Sequence, residues 1–227
     1  MLKRSITTNA AVLTLFALVT AGTLAVTQIS TREPIERAIR KAEARALLEI
    51  IPLERHSNDL LVDTYPIPKS YWSQLGLKQG GNINLAREED GTITAVIIPS
   101  VTYEGYSGPI SLLVGVNRDG SIAGVRVTDH SETPGLGDKI EIKKSDWVNG
   151  FNGKSLQDPA PAQWAVKKDG GAFDQFSGAT ITPRAIVNQV QSVLEFVASH
   201  REPLFSAPVS QRAVEVEQPQ NQIQEPQ

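Results

Sequence analysis

An uncharged apolar segment near the N-terminus constrains this chain more than any other feature. No charged residue occurs between Ser5 and Thr31, and Ala11 to Ile29 consists largely of Ala, Val, Leu, Ile and Phe. A run of this length suits the roughly 20 helical residues that cross the hydrocarbon core of a bilayer. The sequence therefore predicts a transmembrane anchor over residues 1–31.

A cleaved signal peptide is the alternative interpretation of this segment. Its apolar region is usually about 7 to 15 residues long and is followed by small residues at the cleavage site. Ala21 to Ala25 resembles such a site, but the apolar run is longer and an amphipathic segment follows directly, which favours an uncleaved anchor. Lys3 and Arg4 precede the span, so the positive-inside tendency places the N-terminus in the cytoplasm and everything after Ile29 outside.

Residues 32–55 are predicted to form a helical stalk or the first helix of the following domain. Apolar residues recur there at helical spacing with charges between them, namely Ile35, Ile39, Ala42, Ala46 and Ile50. Pro34 is predicted to lie in the first turn of this helix, where its fixed φ angle is favourable. Pro52 is predicted to end it.

The segment 56–203 is predicted to be one α+β domain built on an antiparallel sheet. Stretches rich in β-branched residues predict strands at 92–99, 110–116 and 122–127. Asn117 to Gly120 lies between the last two strands and is a hairpin signal. The Pro- and Tyr-containing segment 59–73 has no clear period and is predicted to be a surface loop.

Two helices are predicted towards the C-terminus of this domain. Residues 145–151 form a short candidate, and Pro183 to His200 has apolar residues at helical spacing. Thr182 is predicted to be the N-cap of the second helix, with Pro183 in its first position. Residues 204–227 are predicted to be a tail, disordered from Ala207 onward because the composition is rich in Gln, Glu and Pro.

The composition excludes several kinds of chemistry. The chain has no cysteine, which rules out disulfides, thiolate zinc sites, cysteine-ligated iron–sulfur clusters and c-type haem attachment. With only 3 histidines and no ligand-like spacing, a metal site is not expected. The net charge is −3 and the basic residues are scattered, so nucleic acid is not an expected partner.

The most specific motif is the heptapeptide from Asp174 to Thr180. Ser177, Gly178 and Ala179 are small residues that leave the Thr180 hydroxyl accessible in a tight turn. A helix is predicted to begin directly after it, and a helix N-terminus favours a phosphate through unpaired N–H groups and its dipole. A plain helix-entry loop would have similar residues, so the motif alone leaves both interpretations open.

A second motif occupies His130 to Gly137. Pro134 and two glycines predict a stiff loop whose backbone can approach a ligand closely. Glu132, Thr133 and the loop amides could bond the polar edge of a planar ligand, and Leu136 could pack on its face. The alternative is an ordinary proline-glycine turn after a strand.

Together the two motifs resemble the FMN-binding domain family found in the G subunit of the Rnf electron-transport complex, and in the related C subunit of sodium-translocating NADH:quinone reductases. Asp174, Ser177, Gly178, Ala179 and Thr180 match the family pattern Asp-x-x-Ser/Thr-Gly-Ala-Thr, and the resemblance runs roughly from Tyr103 to Val197. The resemblance implies FMN joined through its phosphate to Thr180 by a separate flavin transferase that recognises Asp174.

The same resemblance implies that FMN contacts residues of both motifs, namely Ser177, Gly178, Ala179, Glu132, Thr133, Leu136 and Gly137. It implies a single-pass protein of the bacterial inner membrane, with a periplasmic flavin domain, that passes electrons between other subunits of a complex and touches lipid through its anchor. No stand-alone catalytic activity is expected. The motifs are closer to those of the Rnf G subunit. The quinone-reductase C subunit and a cofactor-free anchored binding or scaffolding domain are the alternatives.

Overall fold

The structure is a computed structural model that describes residues 2–209, with side chains described from residue 9 onward. The chain divides into two compact units, Met1–Glu43 and Ala44–Gln227.

The first unit consists of helix α1 residues, and this helix spans Leu2–Ile50. The large apolar side chains from Val12 to Ile29 are more than 60% exposed. By length and composition, this helix is apolar enough to cross a membrane. The predicted apolar helix near the N-terminus is therefore present.

Pro34 lies inside α1, so the prediction that it begins a second helix is wrong. A proline removes one backbone hydrogen bond, and the helix continues through it where the bonds on both sides persist. Ion pairs between Arg32 and Glu36 and between Glu33 and Arg37 extend across the proline at helical spacing. Ile50 is the last residue of α1, close to the predicted end at Pro52.

The second unit is built on a five-stranded antiparallel sheet in the order β1-β2-β3-β4-β5. The strands are β1 Thr64–Pro66, β2 Asn82–Arg87, β3 Ile93–Thr102, β4 Ile110–Asn117 and β5 Ile122–Asp129. The predicted α+β class, the antiparallel sheet and the hairpin between β4 and β5 are confirmed.

The first two strands were not predicted. β1 lies within the segment predicted to be a loop, and it has only three residues. Pro66 cannot donate a ladder hydrogen bond, but β1 is an edge strand, where proline is tolerated. In β2, polar asparagines alternate with the buried Ile83 and Leu85, and Asn84 donates to the Leu60 carbonyl at 2.7 Å.

Both faces of the sheet are covered. Helix α2, Ile181–Ser199, packs on one face through Ile186, Val190 and other apolar residues at helical spacing. The last turn of α1 packs on the opposite face, where Ile50 contacts the sheet. A Cβ atom on Gly115 would lie 2.2 Å from the Ile50 side chain, so this contact requires glycine.

Helix α2 begins earlier than predicted. Its N-cap is Thr180, and Thr182 lies inside the first turn, where its side chain is buried. The assignment of Thr182 as the N-cap is therefore wrong, because its hydroxyl bonds a carboxylate from another segment instead of a backbone amide. The short helix predicted at 145–151 is present as a 3-10 helix, Asp146–Phe151, capped by the Ser145 side chain.

The folded domain extends beyond the predicted tail boundary at residue 204. Helix α3 spans Arg201–Phe205, and Leu204 is fully buried in the core. The buried guanidinium of Arg87 donates to the carbonyls of Ala207 and Pro208 at 2.9 and 3.0 Å. These contacts hold residues 204–208 against the domain. The predicted disorder further along falls on residues 210–227, which lie outside the described residues.

Candidate functional site

The heptapeptide motif forms a short turn directly before α2, here called the 174–180 turn. The Ala179 amide donates to the Phe176 carbonyl at 3.1 Å, and Gly178 has a φ of 84°. This angle is the left-handed conformation that favours glycine in a β-turn. Phe176 is buried against Trp147 and fixes the turn to the domain, whereas Ser177 and Gly178 are exposed.

Thr180 lies at the end of this turn as the N-cap of α2. Its side chain makes no capping hydrogen bond, and the residue is partly exposed. Its carbonyl accepts the Arg184 amide at 3.2 Å, the first bond of the helix. The Ile181 and Thr182 amides have no acceptor within the helix because they belong to its first turn. Thr180 is therefore partly exposed and lies next to N–H groups of the first turn of the helix.

Asp174 is at the start of the turn, and Thr180 is at its end. Its side chain is 68% exposed and forms an ion pair with Lys167 at 2.6 Å. The Asp174 carbonyl accepts the Trp147 indole N–H at 2.7 Å. The backbone here is therefore fixed while the carboxylate stays open to solvent.

The second motif forms the segment here called the 130–138 loop. The Thr133 carbonyl accepts the amides of Leu136 and Gly137 at 3.1 and 3.0 Å. The Gly135 amide donates to the Asp138 carboxylate at 2.7 Å. The amides of residues 135–137 are therefore used inside the loop, which differs from the expectation that they bond the edge of a ligand. Thr133 and Leu136 remain exposed.

Glu132, also predicted to contact the polar edge of a ring, lines the same region of the structure as Thr133. The Glu132 side chain is buried, with 4% exposure. One carboxylate oxygen accepts the Ser107 amide at 3.0 Å, and the other accepts the Thr182 hydroxyl at 2.5 Å. The carboxylate is thus committed to two other segments of the protein.

Asp138 and Lys144 stabilise the same loop. Lys144 Nζ donates to the Asp138 carboxylate at 2.9 Å. This bond, followed by the Gly135 amide, holds the pKa of the Asp138 carboxyl below its usual range. The same bond, together with the charge of Asp138, raises the pKa of the Lys144 ammonium.

The 130–138 loop and the 174–180 turn line one surface pocket of about 340 Å³. It is lined by residues of both motifs and of the adjoining segments, namely Tyr106, Glu132, Thr133, Leu136, Gly137, Gly178, Ala179, Thr180, Ile181 and Thr182. The structure thus brings together most of the predicted site residues, while Ser177 and Asp174 lie outside the lining. Pockets for small molecules usually measure about 300 to 1,000 Å³.

Three lining residues were missed at the level of sequence, namely Tyr106, Ile181 and Thr182, of which Thr182 was predicted only as the N-cap of a helix. Tyr106 is 70% exposed and Ile181 is 44% exposed, and both line the pocket. Tyr106 lies in a glycine-rich stretch between β3 and β4, and an exposed aromatic residue there was the available signal. Ile181 gave no signal because the start of α2 was placed two residues too late.

Comparison with family models first gives the class of protein to which this chain is similar. Residues 105–195 match the family model described as the FMN-binding domain, and residues 1–50 match the RnfG N-terminal region. The first of these matches contains both motifs and the whole pocket lining.

Curated relatives then give the particular family. The chain is 50% identical over 207 residues to the G subunit of the ion-translocating oxidoreductase complex of Pseudomonas aeruginosa, covering 90% of this chain and 94% of that protein. It is 42% identical over 206 residues to the corresponding protein of Pseudoalteromonas atlantica, covering 91% and 94%. This chain belongs to the family of G subunits of ion-translocating oxidoreductase complexes.

A comparison of structures finds Shewanella oneidensis NqrC, with a TM-score of 0.43 and 22% identity, covering 60% of this chain and 70% of that one.

Proposed function

We propose that this chain is the membrane-anchored flavoprotein of an ion-translocating electron-transport complex, carrying FMN as a phosphoester on Thr180. The observation that carries the proposal is the position of Thr180. The Thr180 side chain makes no capping hydrogen bond and is partly exposed, and the residue lines a pocket at the start of a 19-residue helix. It also lies within the match to the FMN-binding domain.

The start of α2 suits the phosphate of FMN. A phosphodiester keeps one negative charge, and a helix N-terminus stabilises a nearby anion by about 0.3 to 1 kcal/mol, less when water screens it. Pro183 has no amide, so the Ile181 and Thr182 amides are the donors available in this first turn. The first turn contains no acidic residue that would repel the phosphate.

The rim of the pocket suits a planar aromatic ring. Tyr106, Leu136 and Ile181 present exposed apolar surface around Thr180. Surface of this kind stabilises a flat ligand by removing apolar area from water. When bound, FMN would supply the capacity to exchange one or two electrons. A chain without cysteine has to obtain this capacity from an organic cofactor.

The anchor and the family support a proposal for the cellular setting of the protein. We propose a single span in the bacterial inner membrane, with the N-terminus in the cytoplasm, lipid around the helix and the flavin domain in the periplasm. A covalent bond would keep FMN on the domain in the periplasm, because a dissociated cofactor would be lost there by dilution. Residues 5–31 carry no charge, so the ion pathway is assigned to partner subunits of the complex.

Attachment requires a flavin transferase, for which Asp174 is the proposed recognition residue. Its exposed carboxylate precedes Thr180 in the chain and stands on a backbone held by Trp147. A separate enzyme could reach both the carboxylate and the threonine from solvent.

The test replaces Thr180 with alanine in cells that produce the transferase. Thr180→Ala is expected to lose in-gel flavin fluorescence and the added mass of one FMN less one water. Thr133→Ala is the matched control, because Thr133 is another exposed threonine of the same pocket, and it is expected to keep both signals. Flavin that persists on the Thr180 variant, or wild-type protein that is colourless in these cells, would contradict the proposal.

A further inference from the structure

We infer that Glu132 is a positioning residue, whose buried carboxylate joins the three segments around the pocket and thereby sets the place of Thr180 relative to the flavin ring. This inference rests on the proposed function. It gives Glu132 a role distinct from direct contact with the cofactor.

The three segments meet at the two oxygens of this side chain. The Ser107 amide, next to Tyr106, donates to one oxygen at 3.0 Å. The Thr182 hydroxyl, two residues after Thr180, donates to the other at 2.5 Å. Glu132 itself begins the part of the 130–138 loop that carries Thr133 and Leu136. One carboxylate thus connects each segment that presents a residue to the ring or the phosphate.

Two glycines leave room for this arrangement. A Cβ atom on Gly137 would lie 2.8 Å from one Glu132 carboxylate oxygen and 3.1 Å from the Thr182 hydroxyl. A Cβ atom on Gly105 would lie 2.9 Å from the other oxygen and 2.2 Å from the Gly108 carbonyl. Side chains at these positions would displace the carboxylate or the backbone beside it. The two glycines flank the buried Glu132 carboxylate.

Burial of the Glu132 and Thr182 side chains makes the junction sensitive to the loss of its acceptor. A buried donor without a partner is costly, whereas a replacement that keeps both bonds is tolerated. The amide of Glu132→Gln can accept from Ser107 through its oxygen and donate to the Thr182 oxygen through its nitrogen. Glu132→Ala removes both acceptors. The two variants therefore separate the geometry of the junction from its charge.

The first measurement uses the full-length protein in detergent, produced without the transferase and therefore without flavin. Hydrogen exchange is followed by mass spectrometry in peptides covering residues 103–109, which contain the Ser107 amide. Glu132→Ala is expected to accelerate exchange of this amide at least about tenfold, and Glu132→Gln no more than about twofold. Glu141→Ala is the control for a disturbance of the loop backbone alone, since this carboxylate pairs with His130, which accepts the Glu132 amide, and it bonds neither Ser107 nor Thr182.

The second measurement uses the flavinylated full-length protein and the accessibility of its flavin to iodide. Thr182→Val removes one bond of the junction with little change in shape, while Thr182→Ser keeps the hydroxyl. Thr182→Val and Glu132→Ala are expected to raise the quenching constant on the order of twofold, and Thr182→Ser and Glu132→Gln to leave it near the wild-type value. The effects of Glu132→Ala and Thr182→Val are expected to be non-additive in the double variant.

Unchanged Ser107 exchange in Glu132→Ala would overturn the inference. Unchanged flavin quenching in Thr182→Val would also overturn it, and this variant decides the matter if Glu132→Ala does not fold. Wild-type protein without flavin would instead contradict the proposed function, and the exchange experiment would still decide whether the junction holds Ser107.

Discussion

The two segments that form the pocket differ in how they are held. The 130–138 loop contains two buried carboxylates, Glu132 and Asp138, and its amides donate largely within the loop. The 174–180 turn has one internal backbone hydrogen bond, from Ala179 to Phe176, and only Phe176 in it is buried. One side of the pocket is thus fixed internally, while the other is open.

This difference fits two separate requirements of the proposed covalent attachment of FMN. A segment modified by another enzyme must be reachable from solvent before the bond forms. A ring that transfers electrons over a defined distance needs a rigid surface afterwards. The 174–180 turn meets the first requirement, and the 130–138 loop meets the second.

The largest expected effect concerns the open side. Asp174→Ala is expected to abolish flavin attachment while leaving the urea unfolding midpoint near that of the wild type. The physical reason is that the side chain is 68% exposed and pairs at the surface, where an ion pair contributes only about 0 to 1 kcal/mol. In-gel flavin fluorescence and intact mass measure the first part, and urea titration the second.

Lys167→Ala is the matched variant for this prediction. It breaks the ion pair with Asp174 but keeps the carboxylate, so flavin attachment is expected to persist. Equal loss of flavin in both variants would mean that the ion pair matters and not the carboxylate as a recognition group. A full flavin signal in Asp174→Ala would remove the proposed contrast between an open, recognised turn and a fixed loop.

A smaller effect is expected from backbone strain in both segments. Gly178 in the turn and Gly135 in the loop have φ angles of 84° and 79°. An added Cβ would meet only the Leu136 side chain, at 3.5 Å, in the first case and nothing within 4 Å in the second. Alanine at either position is therefore expected to lower the free energy of unfolding by about 1 to 2 kcal/mol through conformation alone.

Gly150→Ala is the control for these glycine variants. Gly150 lies in the 3-10 helix Asp146–Phe151, has no positive φ, and has nothing within 4 Å of an added Cβ. Its effect is expected to stay within about 0.5 kcal/mol in urea titration. If Gly135→Ala lowered the free energy of unfolding by no more than this control does, the 130–138 loop would be less fixed than its hydrogen bonds indicate.

The sequence predicted those parts of the fold that have local signals. β3, β4 and β5 have β-branched runs, and the last two flank a hairpin turn. β1 and β2 lack such a signal, because one has three residues and ends in Pro66, and the other contains two asparagines. Pro34 carries a local stop signal that the continuous helix overrides, since hydrogen bonds on both sides outweigh the one that is lost.

The site follows the same division. Each motif was recognisable because its residues are consecutive, and both line the same pocket. The bond between Glu132 and Thr182 joins residues 50 positions apart, and it depends on how the loop after β5 packs beside α2. The sequence therefore pointed to most of the pocket lining, but not to Tyr106 or to the two hydrogen bonds that hold the Glu132 carboxylate.

The smallest expected effect is a pH dependence of the fixed loop. Lys144 and the Gly135 amide lower the pKa of Asp138 in the folded protein, so its carboxylate contributes stability above the unfolded pKa, about 3.9. This contribution is lost as the pH falls from about 4 through the lower folded pKa. Lys144 has a raised pKa, so its contribution is complete below about 10.4 and is lost as the pH rises through the folded pKa.

The measurement compares the thermal midpoints of the wild type and Asp138→Asn across this range. The advantage of the wild type is expected to be constant at neutral pH, to shrink as the pH falls below about 4, and to disappear below the lowered folded pKa, where both proteins carry an uncharged side chain at this position. Lys144→Gln is expected to reduce the same difference, because Lys144 is the main cause of the lowered pKa. An advantage that persists at the lowest pH would mean that the Gly135 amide, and not the charge of Asp138, fixes the loop.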